Sequence, residues 1–105
     1  MASSQDTVDR ICAALAPAGD IRARKMFGEY GLYCDSVFIG TICDDRLFIK
    51  MTDPGAAFAE GLPQEPPYSG AKPSYHIPDA RLSETAWLVD FLTATRTALA
   101  AKSKR

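Results

Sequence analysis

Reactive side chains are scarce in this sequence. Its 105 residues include one histidine, His76, and three cysteines, Cys12, Cys34 and Cys43. No two cysteines stand close enough to form half of a zinc site, and an odd number at irregular spacing is not a disulfide framework. They are read as reduced thiols serving as small core residues, which places the chain in the cytoplasm. No apolar run approaches the ~18 residues of a bilayer span. The opening Met1-Ala2-Ser3-Ser4-Gln5-Asp6 lacks the basic start and apolar stretch of a secretory signal. Charge of either sign is not in excess: 12 Lys and Arg against 13 Asp and Glu leave a net charge of -1. A general nucleic-acid or membrane-surface binder usually carries a strong basic surplus. No membrane partner, metal or other cofactor is expected.

What is present suits one small domain. Hydrophobic residues make up 47% and charged residues 24%, ordinary for a globular protein. One domain is expected over 1–105, with 1–4 and 100–105 frayed. Val8, Ile11, Cys12 and Leu15 recur at helical period behind Ser4 as N-cap, and Pro17 and Gly19 stop that helix. Extended segments follow at Ile21 to Phe27, Tyr30 to Cys34, Val37 to Cys43 and Arg46 to Met51. Asp35-Ser36 and Asp44-Asp45 break them as hairpin turns, though neither pair contains a glycine. Thr52 or Asp53 caps a short helix with Pro54 in its first turn, running through Phe58 and ending at Gly61. Residues 62–73 hold four of the seven prolines and read as a partly polyproline-like loop. Ser74 to Ile77 reads as a last strand stopped by Pro78. Ser83 then caps a final helix whose stripe is Trp87, Leu88, Phe91, Leu92, Thr95 and Leu99. The fold expected is α+β: an antiparallel β-meander packed against N- and C-terminal amphipathic helices.

Strand parity adds one expectation. In Val37 to Cys43, regular alternation puts Val37, Ile39, Thr41 and Cys43 on one face and Phe38, Gly40 and Ile42 on the other. Both faces are apolar, so both need cover, from helices of this chain or from a second copy in a homodimer.

Tests for chemistry find little. His76 is the one possible imidazole base, and no nucleophile elbow accompanies it. Asp44 and Asp45 are better explained by a turn than as a catalytic pair. Gly28-Glu29-Tyr30-Gly31 has a GxxG outline but is flanked by strand-like sequence rather than helices. Arg22, Arg24 and Lys25 are the candidate nucleic-acid contacts, with a solvated strand edge as the plainer reading. Tyr68, Tyr75 and His76 are the candidate lining of a small-molecule pocket. No catalytic residue is assigned.

The run Met26-Phe27-Gly28-Glu29-Tyr30-Gly31-Leu32-Tyr33, followed by Leu47-Phe48-Ile49-Lys50-Met51-Thr52-Asp53, a Pro-rich loop, Ser74-Tyr75-His76-Ile77-Pro78 and a final amphipathic helix, resembles the TfoX/Sxy N-terminal domain family over about positions 8 to 100. The resemblance implies an α+β domain with a meander on helices, and Gly28, Gly31 and Pro78 carry over as structural positions. It also implies kinship with regulators of natural competence for DNA uptake, which act with the transcription machinery rather than as enzymes. Those regulators carry a second, C-terminal helical domain, so this chain is expected to be a stand-alone member. The function expected is a non-enzymatic regulatory module that binds a protein. A nucleic-acid accessory protein, or a small-molecule binder or enzyme working near Tyr75 and His76, are the alternatives.

Overall fold

A computed structural model of the chain describes residues 3–26 and 28–103. Phe27 of the Met-Phe-Gly run, Lys104 and Arg105 lie outside the described residues, as do Met1 and Ala2. The elements are α1 (Gln5–Leu15), β1 (Ile21–Met26), β2 (Glu29–Cys34), β3 (Val37–Cys43), β4 (Arg46–Ile49), α2 (Asp53–Ala56), β5 (Gln64–Glu65), β6 (Ser74–Ile77) and α3 (Thr85–Ser103). The strands form one antiparallel sheet in the order β1-β2-β3-β4-β6-β5. The fold is α+β, as the sequence indicates.

The hairpins follow from their turns. Asp35 and Ser36 have φ of 50° and 70°, and Asp44 and Asp45 have 54° and 59°. Two successive left-handed residues match the right-handed twist of the flanking strands, and aspartate tolerates that conformation better than most. Both turns are held by further bonds. The Asp20 amide donates to Asp35 Oδ1 at 2.9 Å, and Arg96 of α3 reaches Asp35 Oδ2 at 3.4 Å. The Ser4 amide donates to Asp45 Oδ1 at 2.8 Å.

The N-terminal segment, expected to fray, is tied down at Ser3 and Ser4. Ser3 is buried; its amide donates to Glu29 Oε1 at 2.8 Å, and its Oγ accepts from the Asp45 amide at 2.9 Å. Ser4 caps α1, accepting from the Thr7 amide at 3.2 Å. At the other end, α3 continues as helix through 100–103.

The β3 alternation is corrected by a bulge. Tyr33 pairs with Phe38 but Leu32 pairs with Gly40, so Ile39 is an extra residue and parity shifts beyond it. Ile39 and Ile42 therefore both join the core. Tyr30, Leu32, Cys34, Leu47, Ile49, Tyr75 and Ile77 point to that same face, where they meet Val8, Ile11 and Leu15 of α1 and Leu88, Phe91 and Leu92 of α3. Gly40 is fixed by crowding at the bulge: a Cβ there would run into the carbonyl oxygen of Phe48 on β4.

Four features differ from expectation. β4 stops at Ile49; Lys50 still donates to the Ile39 carbonyl at 2.9 Å, spanning the bulge. α2 is one turn long, capped by Thr52, which accepts from the Gly55 amide at 3.0 Å. The Pro-rich loop is not wholly irregular: Gln64 and Glu65 form β5 on the edge of β6, and the Pro63 carbonyl accepts from His76. Ser83 does not cap α3. It closes a 3-10 turn over Asp79–Ser83, its hydroxyl donating back to the Ala80 carbonyl, and the helix begins at Thr85. Pro78 opens that turn, its carbonyl accepting from Arg81.

Candidate functional site

The helices cover one face of the sheet. By register the opposite face presents Arg22 and Arg24 from β1, Glu29 and Tyr33 from β2, Phe38, Thr41 and Cys43 from β3, Arg46 and Phe48 from β4, and His76 from β6. Aromatic rings and cations interleave here. Tyr33 and Phe38 are cross-strand partners with centroids 5.3 Å apart. The Arg24 guanidinium lies 5.8 Å from the Tyr33 ring and Lys50 Nζ lies 5.0 Å from the Phe38 ring. Phe48 points away from the helices yet is fully buried, with the Arg46 guanidinium 5.0 Å over its ring and the His76 ring 5.6 Å away. Glu65 of β5 holds this corner together, accepting from Arg46 at 2.9 Å and lying 3.9 Å from His76 Nδ1.

Between these groups lies a cleft of about 270 Å³ lined by Met26, Glu29, Tyr30, Phe38, Thr41, Cys43 and Tyr68. Its walls are mostly apolar, and Tyr68 overhangs it from the loop between β5 and β6, 58% exposed. Gly31 makes room for the cleft side chains: a Cβ there would meet Met26 Sδ at 2.5 Å and Phe38 Cε1 at 3.1 Å. A second recess, about 290 Å³, is bounded by Asp20, Arg22, Arg24, Tyr33 and Ser36 at the β1 end of the same face.

The expected site residues are divided by the sheet. Arg22 and Arg24 share the open face and the second recess, while Lys25 points to the other side of β1. Tyr68, Tyr75 and His76 do not share a cavity. Tyr75 and His76 are adjacent strand residues, so they face opposite ways. Tyr75 is buried against Phe91 of α3, centroids 6.0 Å apart, and His76 stands with Glu65 and Phe48. Tyr68 lines the cleft with residues the sequence reading did not select. Glu29, Phe38, Thr41 and Cys43 come together only once the bulge sets their face, and no sequence period marks them. Gly28 takes φ of 80° in the β1–β2 turn.

Burial pushes all three thiols above their ordinary range, with Asp9 adding at Cys12, Asp35 at Cys34 and Glu29 at Cys43. All three are free thiols and stay protonated at neutral pH. Burial raises the Glu29 carboxyl too, but the amides of Asp44 and Ser3 donate to it at 2.7 and 2.8 Å, and the net shift is downward. Its charge therefore fastens the N-terminal segment to the β3–β4 turn. Among the described residues, no three of His, Cys, Asp and Glu are grouped to hold a metal ion, and no helix is long and apolar enough to cross a membrane.

Comparison with known proteins fits this architecture. The family model for the TfoX N-terminal domain matches residues 13–99. A protein of Spirochaeta aurantia, described as an uncharacterised 12.7 kDa protein in the trpE 5' region, is 40% identical over 85 residues, which is 81% of this chain and 73% of that protein. The family match spans the meander, the Pro-rich loop and most of α3, and on it the chain belongs to the TfoX N-terminal domain family.

Proposed function

We propose that this chain is a non-enzymatic regulatory module, competence-related as its family suggests, that works by binding a protein. The observation that carries the reading is the helix-free sheet face, where an apolar cleft with Glu29 in its wall lies beside Lys50 and the Tyr33–Phe38 pair. Half-buried aromatic side chains beside arginine are the usual anchors of protein interfaces. The thiols on hand are held protonated, which suits packing better than nucleophilic chemistry. A homodimer is not needed to cover β3: α1 and α3 bury Ile39 and Ile42, while Met26 and Tyr68 flank Phe38 and Cys43.

The test is affinity purification from the native cell, with mass spectrometry and an assay for co-purifying nucleic acid. One protein should be enriched, and its capture should fall for a folded Phe38→Ser/Tyr68→Ser variant. The nucleic-acid reading rests on Arg22 and Arg24 sharing a face with Tyr33 and Phe38, since cations beside stacking rings suit a single strand. Salt-sensitive retention of DNA or RNA with no protein enriched would favour it and overturn the first reading.

A further inference from the structure

We infer that β1 is a docking edge for an acidic, extended peptide segment, which adds to the sheet as a further strand. This deepens the protein-binding reading and rests on it, naming where the partner sits and what its chemistry is.

The argument starts from the ladder. β1 is six residues long, lies at the margin of the sheet and pairs only with β2. The Asp35 amide donates to the Asp20 carbonyl at 2.9 Å, so Asp20 and Asp35 are a hydrogen-bonded pair. In an antiparallel ladder such pairs alternate, so Arg22, Arg24 and Met26 bond to β2 while Ile21, Ala23 and Lys25 turn their N–H and C=O groups outward. Among the described residues, no hydrogen bond reaches these outward groups. The other margin is β5, only two residues long. β1 is therefore the one long open edge among the described strands, and it offers three donors and three acceptors in extended register.

Charge selects the occupant. Arg22, Arg24 and Lys25 are all exposed. The nearest carboxylate along the strand is Asp20, 3.2 Å from Arg22 with both side chains largely in solvent, so its neutralising effect is weak. A second copy added antiparallel would set these cations against themselves, and like charges directly opposite are destabilising. An acidic strand meets the opposite situation. Its residues on the open face stand beside Arg22 and Arg24, which with Tyr33, Ser36 and the Arg22-paired Asp20 bound a recess where a carboxylate would meet Arg24. Its alternate residues lie beside half-buried Ile21 and Ala23, where small or branched apolar side chains fit. The preferred pattern is thus acidic and apolar residues in alternation.

The test uses the full chain, isotope-labelled for amide NMR, and the blocked peptide acetyl-Glu-Val-Glu-Val-Glu-amide. Two controls accompany it: the same peptide with both valine amides N-methylated, and a lysine analogue. The expected result is shift changes and slowed hydrogen exchange at Ile21, Ala23 and Lys25. Binding should weaken roughly tenfold in Arg22→Gln/Arg24→Gln and again between about 50 and about 500 mM salt, and neither control should bind. The N-methylated peptide keeps the charge and loses the strand donors. If it binds equally well, simple charge attraction replaces strand addition and the inference falls. Shifts centred away from β1, or none up to about 1 mM peptide, also overturn it. A protein captured in cells that does not perturb β1 sinks this inference and leaves the protein-binding reading standing. Absence of any captured protein sinks that reading, while the peptide titration still reports on the edge.

Discussion

Ser36 and Glu29 show how single side chains set the local energetics. Ser36 sits at φ 70° and makes no side-chain hydrogen bond among the described residues. A left-handed conformation costs a non-glycine residue about 1–2 kcal/mol, part of which glycine returns as entropy of the unfolded chain. Ser36→Gly should therefore raise stability by about 0.5–1 kcal/mol in urea unfolding. The same change at Asp35 or Asp45 should not, because those carboxylates accept hydrogen bonds from Asp20 and Ser4. Glu29 has a folded-state pKa below its unfolded value. Its contribution is present above the unfolded value, about 4.3, and is lost as pH falls through the folded one. Glu29→Gln should cost about 1 kcal/mol at pH 7, where one backbone N–H loses its acceptor. The deficit should shrink on acidification below about pH 4, and a deficit independent of pH would contradict the assignment.

At the scale of elements, the bulge on β3 decides what faces what. It needs Gly40, whose absent Cβ lets the Phe48 carbonyl approach. Gly40→Ala must push β3 and β4 apart at the centre of the sheet, and a loss of about 2 kcal/mol or more is expected from thermal unfolding, with faster exchange at the Lys50 amide. Most elements were legible in the sequence: α1 and α3 each carry a helical period that burial enforces, Val8, Ile11 and Leu15 in one and Leu88, Phe91 and Leu92 in the other, and the polar pairs Asp35-Ser36 and Asp44-Asp45 mark the meander. Ile39 was not legible as a bulge, since an apolar residue fits either face. β5 was hidden because two residues, Gln64 and Glu65, become a strand only by meeting β6. Ser83 looked like a cap, but its hydroxyl turns back to Ala80 instead. The cleft gathers Met26, Glu29, Phe38, Cys43 and Tyr68 from separate segments, a juxtaposition that exists only in three dimensions. The three basic residues of β1 were visible, but their division between two faces required the register.

The whole molecule is one sheet with helices on one side and one continuous core, so it should open as a unit. Cys34 and Cys43 report on this, being buried with raised pKa values. Iodoacetamide labelling of either thiol at neutral pH should be slow in the native protein and rise with denaturant in step with the loss of circular dichroism. Labelling of Cys43 well before that transition would show that the cleft side opens separately.

The two margins of the sheet are unequal, and this limits how far association can go. A fibre grown by strand pairing needs each molecule to extend the ladder in both directions. Here a neighbour arriving at the β5 side finds two residues, too few to template a register, and identical β1 sides repel each other. A strand received at β1 would thus be a terminus, and the proposed docking would give bounded pairs with a foreign segment instead of a polymer.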